Sequence, residues 1–206
     1  MGTWRDMWIA TVSVVVGAIF TWFIGWFQAK RAERELIKKI QHAVFDKEQV
    51  SISEELLMTR LLAKKIQEDK FNPDFIFAIC PGGAMIAEWL SRGFLGSRSA
   101  PIPVQLLYMA REQGGAGIIV DRAVINESLT AVPSGLAKNS KVLLVNDISR
   151  GGYTLGSAAE FLKKHFPDGD IRSATLICAK DANVKPIYSV AMTAKVVRFD
   201  WKSYEE

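Results

Sequence analysis

The hydrophobic residues of this chain form continuous runs of strand length, separated by stretches with helical spacing. The runs that predict buried strands are FIFAIC at 75–80, VQLLYM at 104–109, VLLV at 142–145 and ATLICA at 174–179. Helical spacing marks residues 84–94 and 154–165 between them. Buried strands that alternate with helices predict an α/β fold, an open and mostly parallel sheet with helices on both faces. Ligands of such folds bind beyond the carboxyl ends of the strands.

A further helix is predicted before the first strand. Ser51 and Glu54 have the spacing of a capping box, and an apolar face follows them. The residues of that face are Leu56, Leu57, Leu61, Leu62 and Ile66. This helix is expected to pack on the domain.

Residues 110–140 form a long connection that is rich in glycine, serine and charge and contains the short run GIIVDRAVI. A connection of this length in a compact domain is typical of a lid or a binding loop. Its charged residues Arg111, Glu112 and Arg122 would close over a site at the neighbouring strand ends.

The first part of the chain has a different pattern. Residues 8–27 contain no charged side chain, and a helix of about twenty residues spans a hydrocarbon core of about 30 Å. Aromatic side chains stand near both ends, namely Trp4 and Trp8 at one end and Trp22, Trp26 and Phe27 at the other. A signal peptide is the alternative, but the run is too long for one and no small-residue cleavage site follows. The pattern predicts one transmembrane helix.

Most of the positive charge near this run lies on its C-terminal side. Lys30, Arg31, Arg34, Lys38 and Lys39 come after it, whereas Arg5 alone precedes it. This asymmetry predicts a single-pass membrane protein whose C-terminal domain is cytoplasmic. The predicted organisation is a transmembrane helix at 8–27, a helical stalk at 28–50 and an α/β domain at 51–206.

Charge and cysteine content narrow the function classes. The formal net charge of +4 owes much to the basic cluster beside the span, which anionic lipid headgroups can neutralise, so it gives no clear nucleic-acid signal. The two cysteines, Cys80 and Cys178, both fall in predicted strands, where a reduced thiol behaves as a small apolar group. The spacing predicts neither a disulfide framework nor a metal site.

The stretch VLLVNDISRGGYTL carries the candidate chemistry. The strand delivers Asn146 and Asp147 to its carboxyl end, and a turn at Gly151 and Gly152 opens the next helix at Thr154. Amides at a helix N-terminus favour an anion, so a phosphate is the expected occupant. Hydroxyl donors are available from Ser149, Tyr153 and Thr154. Asp147 beside a phosphate would accept hydrogen bonds from the two hydroxyls of a ribose.

An ordinary strand-to-helix connection, with glycine for the turn and Thr154 as a cap, is the alternative, and spacing alone does not separate the two. Other phosphate motifs fit worse. No lysine follows the glycines as a P-loop requires, and Gly115 and Gly117 precede a hydrophobic run, whereas a dinucleotide fingerprint follows one.

With these motifs the sequence resembles the type I phosphoribosyltransferases, whose phosphoribosyl pyrophosphate motif has four apolar residues, two acids and a Thr-Gly-x-Thr-like loop. The resemblance covers about residues 51–201 and is greatest with the purine and xanthine-guanine branch. It implies a pyrophosphate loop at Pro81, Gly82 and Gly83. It also implies Mg²⁺ bound with phosphoribosyl pyrophosphate, and it allows a homodimer.

The same resemblance places a base at the far end of the domain. ATLICAKDANVKP followed by VVRFDW resembles the purine-binding end of the family. Lys180 would contact an exocyclic oxygen of the purine, and Val196, Val197 and Phe199 would frame the ring, with Val196 at the stacking position.

Three positions depart from the family pattern. Asn146 replaces the first acid and brings no charge for a metal-bound pyrophosphate. Arg150 stands where the purine enzymes carry an aspartate proposed as general base, and a guanidinium takes no proton at neutral pH but can grip a phosphate. Pro81 stands where many members carry a cation or another N–H.

The first functional hypothesis is a membrane-anchored phosphoribosyltransferase that transfers phosphoribose to or from a purine-like base, with Asp147 and Arg150 as the catalytic candidates. The alternative is a catalytically inactive module that senses a nucleotide and signals to a partner or to the membrane. A third hypothesis, based only on the union of span and nucleotide fold, is a component of a bacterial defence or toxin system.

Overall fold

A computed structural model describes residues 19–28, 30–32, 35, 38, 49–93, 100–113, 119–125, 136–194 and 197–200. The chain divides into two compact units, residues 1–43 and residues 44–206. Each unit is considered by itself.

The described residues of the first unit are helical at 19–28 and 30–32, here called α1. The large apolar side chains of α1 are all exposed, with exposed fractions between 42% at Ile24 and 68% at Trp22. Lys30 lies over the ring of Trp26, with its Nζ 5.5 Å from the ring centroid. Within the described residues, no helix has the length and hydropathy needed to cross a bilayer. Residues 8–18 of the predicted span, and most of the predicted stalk, lie outside the described residues.

The second unit is built on one sheet of six strands. They are β2 (Phe75–Cys80), β3 (Val104–Gln113), β4 (Ile119–Ile125), β5 (Lys141–Ser149), β6 (Asp170–Ala179) and β7 (Tyr188–Thr193). Their order in the sheet is β4-β3-β2-β5-β6-β7, and only the pairing of β3 with β4 is antiparallel. The predicted open and mostly parallel α/β sheet is therefore confirmed.

Three helices cover the sheet, α2 (Ile52–Glu68), α3 (Gly82–Gly93) and α4 (Tyr153–His165). On one face, Phe77 and Ile79 of β2 pack with Leu155, Phe161 and other residues of α4. Successive side chains of a strand point to opposite faces, so Ile76 and Ala78 face the other side, where α3 contacts β2 and β5. α2 lies against α3, β6 and β7.

The predicted start of α2 is confirmed in detail. The Ser51 hydroxyl accepts a hydrogen bond from the N–H of Glu54 at 3.3 Å, and Glu54 Oε2 accepts one from the N–H of Ser51 at 2.9 Å. Of the predicted apolar face, Leu61, Leu62 and Ile66 are buried, together with Met58. Leu56 and Leu57 are only half-buried.

A small second sheet joins the two ends of the domain. β1 (Gln49–Val50) pairs in parallel with β8 (Arg198–Phe199), and the side chains of Val50 and Phe199 are each 1% exposed. The predicted stalk ended at residue 50, whereas the structure includes Gln49 and Val50 in the domain because this pairing and burial hold them there.

The predicted connection at 110–140 contains more structure than its composition indicates. β3 continues to Gln113, and β4 pairs with it in antiparallel register, with an irregularity between Arg111 and Gln113. Charged residues in β4 and at the end of β3 hid β4 and the last four residues of β3 from the hydrophobic pattern. Charge is common on a strand at the edge of a sheet, where it opposes pairing with other chains.

Strand order locates the ligand crevice. From β2 the chain passes through α3 to β3 on one side, whereas from β5 it passes through α4 to β6 and then β7 on the other. The direction of winding therefore reverses between β2 and β5. In open α/β sheets, ligands bind at such a switch point, outside the carboxyl ends of the strands.

Candidate functional site

Two helices begin at the switch point between β2 and β5. α3 begins at Gly82, two residues after β2 ends, and α4 begins at Tyr153, four residues after β5 ends. The first amides of a helix have no partner within the helix and carry its positive dipole end. The fold thus directs two sets of amide donors at one crevice, which is an arrangement that favours an anionic ligand.

The predicted pyrophosphate loop lies at the start of α3. The peptide bond between Cys80 and Pro81 is cis, and Gly82 and Gly83 already belong to the helix. A β-carbon on Gly82 would lie 2.4 Å from Cγ of Asp147, and one on Gly83 would lie 2.4 Å from the carbonyl oxygen of Val145. Both glycines are required because β5 passes directly against them, a reason that the sequence does not contain.

Asn146 and Asp147 lie at the crevice but their side chains are turned into the protein. Asn146 is 9% exposed and Asp147 is 2% exposed. The Asn146 amide Nδ2 donates to the carbonyl oxygen of Ile148 at 3.0 Å, and the N–H of Ile148 donates to Asp147 Oδ1 at 2.6 Å. Residue 148 thus fixes both side chains. The prediction that Asp147 binds a ribose diol requires its carboxylate to turn outward.

The phosphate loop runs from Ser149 to Thr154. Gly152 is the N-cap of α4 and has a φ of 84°, in the left-handed region that favours glycine. It provides no side-chain cap, and α4 begins at Tyr153, one residue earlier than predicted, so Thr154 lies inside the first turn and is not the cap. The N–H of Gly156 donates to the carbonyl oxygen of Gly152 at 2.8 Å.

Two residues that sequence reasoning missed, Asn183 and Val184, lie against this loop. The N–H of Asn183 donates to the carbonyl oxygen of Gly151 at 3.1 Å. The Ser149 hydroxyl donates to the carbonyl oxygen of Val184 at 3.2 Å. Asn183 Nδ2 donates to the hydroxyl of Tyr153 at 3.1 Å. Both residues belong to the stretch ATLICAKDANVKP, which the resemblance assigned to the base, so their contact with the phosphate loop was not predicted.

Arg150 is exposed and reaches away from the loop. Its Nη2 donates to the carbonyl oxygen of Val197 at 3.0 Å. The guanidinium therefore bridges the phosphate loop and the predicted base-binding end. The guanidinium has five N–H donors in all and no acceptor.

The predicted base-binding residues occupy different environments. Lys180 directly follows β6, and its N–H donates to the carbonyl oxygen of Thr193 at 3.0 Å. Val197 and Phe199 are each 1% exposed, so their side chains belong to the core. Val196 lies outside the described residues. A base in this region would meet the main chain of residues 197–199 before it met those two side chains.

Three further candidate groups, His165 and the two cysteines, are poorly placed for catalysis. His165 is in the last turn of α4, at the opposite end of that helix, where its Nδ1 is 3.1 Å from the carbonyl oxygen of Phe161. Cys80 and Cys178 are free thiols, and burial raises the pKa of both. Neither is suited to act as a nucleophile at neutral pH.

Metal binding has one clear protein donor at the crevice. The described part of the chain contains no group of three or more His, Cys, Asp or Glu side chains that could hold a metal. Mg²⁺ commonly takes one or two carboxylates and completes its shell with ligand phosphates and water. Asp147 and the amide oxygen of Asn146 are buried, so they would reach a metal that arrives with its ligand only after the Asp147 carboxylate turns outward, and they do not form a permanent metal site.

Comparison with known proteins agrees with this geometry. The family model described as Phosphoribosyl transferase domain matches residues 48–204. No curated protein matches the chain. Among solved structures, a purine phosphoribosyltransferase from Pyrococcus horikoshii is similar, with 27% identity and a TM-score of 0.60 over 75% of this chain and 95% of that one.

Two further structures share the fold at lower identity. The xanthine-guanine-hypoxanthine phosphoribosyltransferase of Helicobacter pylori is 18% identical, with a TM-score of 0.60 over 77% of this chain and 93% of that one. A hypothetical protein from Neisseria gonorrhoeae, solved with bound ppGpp, is 22% identical, with a TM-score of 0.61 over 75% and 89%. The family match spans most of the chain, and the chain therefore belongs to the type I phosphoribosyltransferase family.

Proposed function

We propose that the domain binds a ligand built on 5-phosphorylated ribose, either phosphoribosyl pyrophosphate or a nucleotide, in the crevice between β2 and β5. The observation that carries this proposal is the convergence of two helix N-termini, at Gly82 and Tyr153, on the switch point of the sheet. The amides of residues 151–154 would hold the 5-phosphate, and the start of α3 would hold the pyrophosphate.

We propose further that a purine-like base occupies the side of the crevice towards Lys180. In a transfer reaction the bond from C1′ to pyrophosphate oxygen breaks as the bond from C1′ to a base nitrogen forms. The protein's contribution is to align the two groups, to stabilise the departing charge and to exclude water. Mg²⁺ bound with the ligand near Asp147 would neutralise part of the pyrophosphate charge.

Two residues favour binding over rapid turnover. Asn146 contributes no negative charge beside the metal, and Arg150 cannot accept a proton from the base. A module that senses nucleotides without turning them over is therefore the second candidate function. The ppGpp bound to the similarly folded Neisseria protein makes that nucleotide a useful member of a ligand panel.

The experiment is isothermal titration of the domain with phosphoribosyl pyrophosphate and Mg²⁺, ribose 5-phosphate, IMP, GMP, XMP and ppGpp. The domain alone is a valid sample because the part of this chain that aligns with the Pyrococcus protein accounts for 95% of that protein. Saturable binding of at least one ligand with a matching rise in the unfolding temperature supports the proposal. Absence of heat and of thermal protection with every member overturns it.

A turnover assay separates the two functions. Release of pyrophosphate from phosphoribosyl pyrophosphate in the presence of hypoxanthine, guanine or xanthine at an enzyme-like rate supports the transferase and rejects the sensor. Binding without release supports the sensor. Asn146→Asp together with Arg150→Asp restores both acids of the family pattern and is expected to raise turnover in that case.

We also propose that the N-terminal unit anchors the protein in a membrane, with the domain on the cytoplasmic side. The supports are the uncharged run at 8–27, the basic residues after it and the exposure of apolar side chains around α1 in the described segment 19–28. Such a helix needs an apolar environment on all sides. Resistance of the expressed protein to carbonate extraction supports the anchor, and complete release by carbonate contradicts it.

A further inference from the structure

The segment Asn183–Val184, called the strap, packs against the phosphate loop from the side of β6. Three hydrogen bonds join them. Asn183 donates its N–H to the carbonyl oxygen of Gly151 and its Nδ2 to the hydroxyl of Tyr153, both at 3.1 Å. The third runs the other way, from the Ser149 hydroxyl to the carbonyl oxygen of Val184 at 3.2 Å. The loop is therefore held along its whole length from Ser149 to Tyr153.

Steric packing reinforces these bonds. A β-carbon on Gly152 would lie 2.5 Å from the carbonyl oxygen and 2.6 Å from the nitrogen of Val184. A β-carbon on Gly151 would lie 2.9 Å from the ring of Tyr153. Gly152 therefore lies directly against the backbone of the strap, and Gly151 lies against the ring of Tyr153.

The strap also begins close to the predicted base contact. Lys180 stands three residues before Asn183, and the turn between them is closed by the N–H of Ala182, which donates to the carbonyl oxygen of Ala179 at 3.3 Å. The N–H of Lys180 is fixed to Thr193 of β7. One short piece of chain thus connects the end of β6 with the phosphate loop.

We propose that Asn183 is a positioning residue of the phosphate site: it orients Tyr153 and the amides of the loop for a 5-phosphate group. The inference rests on the proposed function, and it assigns Asn183 a role at the phosphate site, whereas the resemblance placed the stretch around it at the base. Asn183 acts through Gly151 and Tyr153 and does not itself contact the ligand. Effects of this kind are large because a small misplacement of aligned donors weakens every bond that they make.

The test is a double-mutant cycle on the full-length chain, with ribose 5-phosphate as the probe. The variants are Asn183→Ala, Tyr153→Phe and the two together, each measured by titration well below its own unfolding temperature. Asn139→Ala is the matched control, since Asn139 is exposed in the turn before β5, at the opposite end of that strand.

The proposal predicts that Asn183→Ala weakens binding about tenfold, as expected for the loss of one organising hydrogen bond. It also predicts that the double variant is no weaker than the poorer single variant, because both changes remove the same bond. Asn139→Ala is expected to bind as the wild type does. If Asn183→Ala is poorly folded, Asn183→Leu serves in its place, because it keeps about the same side-chain size, adds no charge and can neither donate nor accept a hydrogen bond.

The outcomes are distinct. If the wild type binds ribose 5-phosphate and the Asn183 variants bind it with the same affinity, the positioning role of Asn183 is wrong and the proposed function still holds. Strictly additive losses of affinity would show that Tyr153 and Asn183 act separately, which also contradicts the positioning role. A lower unfolding temperature of Asn183→Ala with no loss of affinity would contradict it as well. If the wild type does not bind ribose 5-phosphate, both the positioning role of Asn183 and the proposed phosphate site are wrong.

Discussion

The carboxylate of Asp147 lies directly beside Gly82, so that a β-carbon on Gly82 would be 2.4 Å from Cγ and 2.5 Å from Oδ2 of Asp147. The two residues belong to different candidate motifs, the pyrophosphate loop and the phosphoribosyl motif. Strand pairing explains the contact, because β2 and β5 are parallel neighbours and their carboxyl ends meet at one edge. The two motifs are therefore one site in three dimensions.

Gly82→Ala is expected to destabilise the domain by ~2 kcal/mol, within the usual range for overpacking a close contact. The new methyl group must displace the buried Asp147 carboxylate or move α3. Chemical denaturation measures the loss as a lower midpoint of the unfolding transition, with the same dependence of the unfolding free energy on denaturant concentration as in the wild type. Gly93→Ala in the same helix is the control, since its β-carbon would meet only the Ala63 methyl at 3.7 Å. Equal stability of the two variants would contradict the contact.

Gly152→Ala is expected to disturb the phosphate loop for two reasons. Its φ of 84° costs a residue with a β-carbon roughly 1 kcal/mol, and the β-carbon would also collide with the strap. Gly156→Ala is the matched variant in the same helix, where the added methyl would meet Val184 Cγ2 at 3.4 Å. We expect thermal unfolding to show a clear loss for Gly152→Ala and little change or a small gain for Gly156→Ala. The opposite order would show that the loop adopts another conformation.

A polar cluster at the amino end of the sheet stabilises the fold without taking part in the site. Arg172 Nη1 donates to the Tyr188 hydroxyl at 2.8 Å and contacts Asp69 Oδ2 at 2.5 Å, and its guanidinium carbon is 4.4 Å from the centroid of the Phe71 ring. The Tyr188 hydroxyl donates to Asp69 at 2.6 Å, and Tyr188 itself is 6% exposed.

Tyr188→Phe removes that hydroxyl and is expected to cost about 1 kcal/mol of unfolding free energy. Ligand affinity of the folded protein should not change, because the cluster lies at the strand ends opposite the crevice. Denaturation and titration of the same variant measure the two quantities. A large change in affinity with no change in stability would contradict this assignment.

Burial raises the pKa of both thiols, and this predicts their reactivity. A raised pKa lowers the thiolate fraction at pH 7, so alkylation by iodoacetamide should be slow compared with free cysteine. Cys178 is 1% exposed and should react more slowly than the half-buried Cys80. The rates should rise as the pH increases towards the raised values. Labelling of Cys178 at the rate of free cysteine at pH 7 would contradict the buried position.

The hydrophobic pattern predicted those parts of the fold whose burial is continuous. The cores of β2, β5 and β6 were correct because both faces of these strands are covered, and β3 was also predicted although only Leu107 of its run 104–109 is buried. β4 was missed because an edge strand carries charge, and β7 was missed because Ser189 interrupts its apolar residues and leaves only the short run 190–192. The hydrophobic pattern of one segment does not show which other strand it pairs with in the sheet.

The candidate site was predicted in its location and not in its internal geometry. Asn146, Asp147 and the Gly151–Gly152 turn do lie at the carboxyl end of β5. The inward orientation of Asp147 is fixed by the N–H of Ile148, and the missing β-carbon of Gly82, which is 65 residues away along the chain, leaves room for it. The strap and the bond between Arg150 and Val197 are likewise long-range contacts, so no local spacing could indicate them.

The central claim is that a phosphorylated ribose binds between β2 and β5 on the amides that begin α4. A crystal structure of the domain soaked with ribose 5-phosphate tests it most directly. We predict the phosphate group within hydrogen-bonding distance of the amides of residues 151–154, with the ribose directed towards Asp147. A phosphate bound elsewhere, or a crevice without ligand at concentrations that saturate the soluble domain, would contradict the account.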